Sequence, residues 1–470
     1  MESEFSLTKI FSEFKYSIRL ALPLIASEVI YGLNSFISVV MVSHLSKTEL
    51  AANALVWGIY VAVSLFFIGI ISAVGILVSQ SYGAEDPSGI SVCFKQGLVM
   101  AVIFTLPMII IMWLSPIILM WTGQDPEVIK FAKPLFYSLI LSILPSNIMI
   151  LIYNFLLGIN KTRITMFMSF FIVPIEIFFY YIFLYGKLHS PKFGLAGIGY
   201  SMAVSNAITV IFFLGYFHLA KEIKIYNLFS KWWKLNKKFL LELLRIGLPM
   251  GTMFCLEVYL FAAVAMMMGS LGINVLAAYQ ISHQYLMIGL FFIFGLTQTA
   301  AVRIGNEVGR NNRAALRLAG LVNIGIGLGF SSLLSIFYLF FPKLAISIDL
   351  DIKSAFLQPV INEATKFLAI VAVLILIDTV RLISLGSLRG LKDTKFPLYI
   401  SIFGFWVIGF SSIYLLAFKL KLGGTGIWWG VVIGLLVTGI ILFIRFNILI
   451  KRINLVSLVT KVSNRHHNFN

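Results

Sequence analysis

Apolar positions in this chain gather into long unbroken runs separated by short polar turns. The runs fall at about 18–43, 51–79, 92–117, 129–153, 163–186, 195–219, 240–268, 276–302, 315–341, 363–388, 396–419 and 425–450. A helix needs roughly 20 mostly apolar residues to cross a hydrocarbon core about 30 Å thick, so the pattern predicts about twelve spanning helices. A transmembrane barrel would show segments of about ten residues alternating apolar and polar, which these runs do not. Helices remain as the spanning element because their backbone polar groups are satisfied within each segment. Composition points the same way. With 60% hydrophobic and 12% charged residues and a mean hydropathy of +0.97, the chain has too little polar surface to coat a water-soluble globule.

The formal charge of +17 raises the question of a nucleic-acid partner, and the position of the basic residues answers it. They sit at the ends of the runs. With a cytoplasmic N-terminus, one set of alternate loops and tails holds about 25 Lys and Arg, among them Lys221 to Lys238, Arg303 to Arg317 and Arg389 to Lys395, against about 10 in the other set. This bias predicts an inner-membrane protein with both termini cytoplasmic and no nucleic-acid partner. The first apolar run is too long for a signal-peptide core and lacks a small-residue cleavage site, so no leader is expected to be removed. Cys93 and Cys255 lie in or beside apolar runs without metal-ligand spacing, and neither a disulfide framework nor a zinc site is expected.

The chain also repeats itself. RLALP at Arg19–Pro23 returns as RIGLP at Arg245–Pro249, and the same shift of 226 aligns Leu45 with Leu271, Leu50-Ala51-Ala52 with Leu276-Ala277-Ala278, and Gly83 with Gly309. Later the shift drifts: Gly158 and Thr162 match Gly390 and Thr394, and GLAGIG at Gly194 matches GGTGIW at Gly423. Each half then holds six helices, an even number, so both halves enter the membrane in the same direction. The expected fold is an all-α membrane protein of two pseudo-symmetric six-helix bundles around a central cleft. The N-lobe is expected over 1–232 and the C-lobe over 233–470, joined by the basic stretch with Trp232 and Trp233 at the membrane interface. Such lobes suit alternating access and favour a carrier over a channel.

Several of these motifs carry a family likeness. The two (I/L)-x-L-P openings of helices 1 and 7, the LAA that follows each, VSQSYGAED at Val78, VRIGNEVGRNN at Val302, Glu257 in helix 7, and Asp378 followed by GSLRGLKDTK from Gly386 appear in one order along the chain. In these features the chain resembles the multidrug and toxic compound extrusion (MATE) transporters, most of all their bacterial NorM-type branch, over nearly its whole length. The resemblance implies a cation-coupled antiporter that exports large, usually cationic organic compounds.

Charges inside the apolar runs are few, and each is a functional candidate because a charge at mid-bilayer costs about 3 kcal/mol or more. They are Glu28, Glu176, Glu257, Asp378 and Arg381. Glu257 falls about 12 residues into its run, near the middle of the slab at 1.5 Å per residue. An unpaired carboxyl there suits proton loading, and with a second carboxylate and neutral oxygens it suits Na⁺, a hard cation. The resemblance supplies Asp378 as that second carboxylate. Arg381 follows Asp378 at i+3 on the same face, which allows a static ion pair or competition with a bound cation.

Relatives carry an aspartate in helix 1 within a stretch like F-x-D-x-x-M, where this chain has Phe36-Ile37-Ser38-Val39-Val40-Met41. Ser38 therefore stands in place of the acid, and Glu176 stands where relatives tend to have asparagine. Glu28 and Glu176 are one candidate pair for a displaced N-lobe site; an interhelical hydrogen bond is the alternative for Glu28. His283 is a candidate relay or substrate contact, or an interhelical hydrogen bonder. The 42 Phe and 16 Met residues are expected mostly to face lipid or pack between helices, and those that line the cleft suit a pocket for aromatic cations.

No phosphate-cradling Gly-rich loop, HExxH pair or GxSxG elbow is present. The expectation is a non-enzyme without cofactor, driven by H⁺ or Na⁺, acting as a monomer in the lipid bilayer on cationic organic small molecules. A lipid-linked saccharide flippase of the same superfamily is the alternative.

Overall fold

A computed structural model describes residues 6–230, 234–352 and 354–460. Twelve helices among the described residues are long and apolar enough to cross a membrane: α1 Leu7–Ser43, α2 Lys47–Gly83, α3 Pro87–Trp121, α4 Pro126–Gly158, α5 Thr162–Tyr185, α6 Gly194–Leu219, α7 Lys237–Ser270, α8 Ile273–Gly309, α9 Arg313–Phe340, α10 Ala355–Gly390, α11 Lys395–Lys419 and α12 Gly423–Arg452. The expected runs lie within these helices or overrun them by a single residue. Four of these helices, α2, α3, α4 and α9, begin on polar first turns capped by a side chain. Ser46 accepts from the Glu49 amide while its hydroxyl donates to the Glu49 carboxylate. Asp86 accepts from the amides of Ser88 and Gly89, with Pro87 at the first helical position.

The repeat seen in the sequence is reproduced in backbone geometry. Asp86 caps α3 and Asn312, 226 residues on, caps α9 by accepting from the Ala315 amide. The residues just before these caps, Glu85 and Asn311, both take left-handed backbone angles, φ 52° and 55°. Asn160 and Lys392 pair in the same way at φ 61° and 60°, and Gly194 and Gly423 at 56° and 57°, which follow the drifted shifts of the sequence match.

Contacts divide the chain into two compact units. Unit 1 comprises residues up to Glu28 together with Thr252 to Leu455; unit 2 comprises Val29 to Gly251 and the described start of the tail from Val456. The expected division at 232/233 follows the repeat, whereas the compact units divide α1 and α7 themselves. Each changes unit within about two turns of an internal proline, Pro23 in α1 and Pro249 in α7, where the missing N–H interrupts the helical hydrogen-bond ladder. These prolines sit inside the helices, so the (I/L)-x-L-P motifs do not mark helix openings as expected.

Within unit 2, α4 is the hub and packs along α2, α3 and α6; within unit 1, α10 packs along α8, α9 and α12. The tight crossings are equivalent too. A Cβ added at Gly158 would lie 2.9 Å from the Gly75 carbonyl and 2.8 Å from Val78 Cβ; one at Gly390 would lie 2.6 Å from the Ala301 carbonyl and 2.7 Å from Ile304 Cβ. Only glycine lets these backbones meet, the usual small-residue device between membrane helices.

The connection between α6 and α7 is held to α3. Gln96 donates to the Lys234 carbonyl at 2.9 Å and accepts from the Asn236 amide at 3.0 Å, and Lys95 donates to Ser230 Oγ at 3.1 Å. Trp232 and Trp233, expected at the membrane interface, lie outside the described residues.

Candidate functional site

Unit 2 encloses a cavity of about 530 Å³ at Glu176 of α5. Glu176 is buried, and both its oxygens are engaged. Tyr180, one turn along the same helix face, donates its hydroxyl to Oε1 at 2.5 Å, and Asn34 of α1 donates to Oε2 at 3.1 Å. Glu176 is the one charged side chain in the described lining. Around it the wall is aromatic and thioether, with Trp57, Tyr60, Met108, Met149 and Met202, and Ser38 lines the same space. Three buried amide oxygens of this wall, Asn34 Oδ1, Asn53 Oδ1 and Asn206 Oδ1, accept no hydrogen bond. A carboxyl group among unpartnered acceptors, with no Lys or Arg in the described lining, can accommodate a positive charge or an N–H donor.

Unit 1 places Glu257, Asp378 and Arg381 together. Arg381 Nη2 donates to Glu257 Oε1 at 2.6 Å, and its Nε donates to Asp378 Oδ1 in a short ion pair. Asp378 and Arg381 are fully buried, while the Glu257 side chain keeps 19% of its surface exposed. Phe405 of α11 lies under the guanidinium, 5.2 Å from its ring centroid. Arg389, two turns of α10 further on, stacks on Phe254, and its buried Nε has no hydrogen-bond partner. Local spacing revealed the Asp378–Arg381 pair; the reach of Arg381 across 124 residues to Glu257 had no sequence signal.

The Glu28 carboxyl has the side chain of Gln298 on α8 as a hydrogen-bond partner within unit 1, and the Glu176 partners Asn34 and Tyr180 belong to unit 2. The His283 ring contacts Phe261 and Tyr279.

Sequence reasoning missed a third charged cluster. Arg303 of α8 donates Nε and Nη2 to both oxygens of Glu13 at 2.8 and 2.7 Å, and Nη1 to Glu307 at 2.8 Å, while Arg310 also donates to Glu307. Tyr16 covers the guanidinium at 4.6 Å. The basic residues of this stretch had been read only as topology signals.

Twelve described helices long and apolar enough to cross a membrane, with buried carboxylates in both units, define a multi-pass membrane protein. The MatE family profile matches residues 23–182 and 249–415, most of the chain, and the chain belongs to that family. It is 32% identical to the "Probable multidrug resistance protein NorM" of Pseudomonas putida, covering 94% of this chain and 96% of that protein. It is 29% identical to the protein of the same description from Agrobacterium fabrum, covering 94% and 95%. Among solved structures, it shares the fold of a MATE transporter in the bent conformation (TM-score 0.85, 18% identity, 96% of this chain and 98% of that one). It likewise shares the fold of the eukaryotic MATE transporter AtDTX14 (TM-score 0.82, 19% identity, 96% and 98%).

Proposed function

We propose that this chain is a cation-coupled antiporter of the inner membrane, with both termini cytoplasmic, that exports cationic, amphipathic organic compounds as a monomer by alternating access. Two lobes, 1–232 and 233–470, are the moving bodies of this proposal, and H⁺ or Na⁺ is the driving ion. The relatives described as multidrug resistance proteins support the substrate class. The observation that carries the reading is Glu176, a buried carboxylate with only neutral hydrogen-bond donors in a cavity walled by rings and thioethers.

Such a carboxylate holds one positive charge at a time. A proton or an organic cation satisfies it, and the two exclude each other, which is the requirement for exchange. The flat rings contribute cation–π attraction and the Met side chains adapt to different outlines. The lipid-linked saccharide alternative calls for a cationic lining to hold a diphosphate, and the described wall offers one acid and no base. Glu257 and Asp378 form the second proposed coupling centre, with Arg381 as their internal counter-ion.

The test is efflux of ethidium from expressing cells with the proton and sodium gradients collapsed separately. Wild type lowers intracellular ethidium while a driving gradient persists, and Glu176→Gln does not. Undiminished export by that variant, at equal membrane expression, contradicts the proposal.

A further inference from the structure

The centre in unit 1 already contains a cation. Arg381 presents one nitrogen to Glu257 of α7 and another to Asp378 of its own helix, and Phe405 of α11 covers its face. The α12 helix leaves room for it, since a Cβ added at Gly439 would come within 3.3 Å of Arg381 Cβ. The guanidinium is therefore seated by four helices between the two acids that a bound metal ion would need.

We propose that Arg381 is a tethered cation that takes the place of a metal ion at this centre, so that unit 1 does not bind sodium. This rests on reading Glu257 and Asp378 as a cation centre. Three physical points support it. First, a guanidinium matches carboxylate geometry with charge-assisted hydrogen bonds, which a spherical ion forms only by collecting several oxygens. Second, the guanidinium is attached to the same helix as Asp378, and a ligand held by a short tether competes at a high effective concentration against any free ion. Third, the acids Glu257 and Asp378 are matched in number by Arg381 and Arg389. A sodium ion entering that set would leave an uncompensated positive charge in a buried place, where desolvation costs several kcal/mol.

The experiment measures binding of radioactive sodium to purified, detergent-solubilised protein. Wild type, Glu257→Gln and Asp378→Asn are expected to give the same background. Arg381→Gln is expected to gain a saturable site of at least about tenfold higher apparent affinity, lost again in the Arg381→Gln, Asp378→Asn double variant. Arg381→Lys keeps a tethered charge and is expected to stay at background. Sodium bound by wild type and lost in Asp378→Asn overturns the proposal, a comparison that stands even where Arg381→Gln does not fold. A well-folded Arg381→Gln protein that gains no sodium overturns it too. The assay needs no transport. A chain that exports no ethidium but shows this binding pattern loses the functional reading and keeps this one, and sodium binding by an exporting wild type that is lost in Asp378→Asn does the reverse.

Discussion

Arg303 grips Glu13 with two parallel hydrogen bonds, joining residues 290 positions apart and fixing the polar start of α1 against the end of α8. Both side chains are nearly excluded from solvent, at 5% and 10% exposure. At the equivalent positions of the other half, 226 residues away, stand Leu77 and Phe239, both buried. One half thus uses an ion pair where the other uses apolar side chains.

Removing one partner of a buried pair strands the other charge and costs about 3–5 kcal/mol, whereas replacing both by apolar groups is often neutral. Glu13→Leu is therefore expected to lower the thermal midpoint of the purified protein markedly. Because Arg303 also pairs with buried Glu307, the Glu13→Phe, Arg303→Leu, Glu307→Ser triple variant, which copies Phe239, Leu77 and Ser81 of the other half, is expected to recover most of the loss. Thermal unfolding followed by fluorescence compares them.

Ser38 and Glu176 face one cavity, and the resemblance to MATE transporters implies an acid at the first position and asparagine near the second. Moving the carboxylate back across the cavity should therefore preserve function. Glu176→Asn alone is expected to abolish ethidium export, and Ser38→Asp added to it is expected to restore a substantial part, read as efflux rate at matched expression.

Gly390 and Gly158 sit where helices touch backbone to backbone. Gly390→Val forces α8 and α10 apart and should cost about 1–3 kcal/mol or more, lowering yield and thermal midpoint. Gly325→Ala, where the added Cβ meets nothing within 4 Å, serves as the control and is expected to leave both unchanged.

Glu222 makes an exposed ion pair with Lys161, and that partner holds its carboxyl below the ordinary value. A depressed carboxylate stabilises above its unfolded pKa and loses that contribution as pH falls through its folded one. The tie between the 221–224 turn and the start of α5 is therefore expected to persist at neutral pH and to loosen only on acidification below the ordinary glutamate range. Amide exchange around 221–224 as a function of pH checks it.

Long apolar runs made the helices legible, because a spanning helix must bury its backbone and offer lipid an apolar surface over its whole length. The repeat was legible because turns that need a left-handed residue or a cap restrict residue type, as at Asp86 and Asn312. Local spacing exposed the Asp378–Arg381 pair. Hidden from the sequence were contacts set by tertiary packing: Arg381 with Glu257, Glu176 with Asn34, Gln96 with the 234–236 backbone, and Arg303 with Glu13.

The central claim is that one carboxylate in the unit 2 cavity takes a proton or an organic cation by turns. Proton release on adding ethidium to purified protein in weakly buffered solution tests it most directly. Wild type is expected to release protons in proportion to ethidium bound, and Glu176→Gln to release none. Equal proton release from the two proteins would contradict the account.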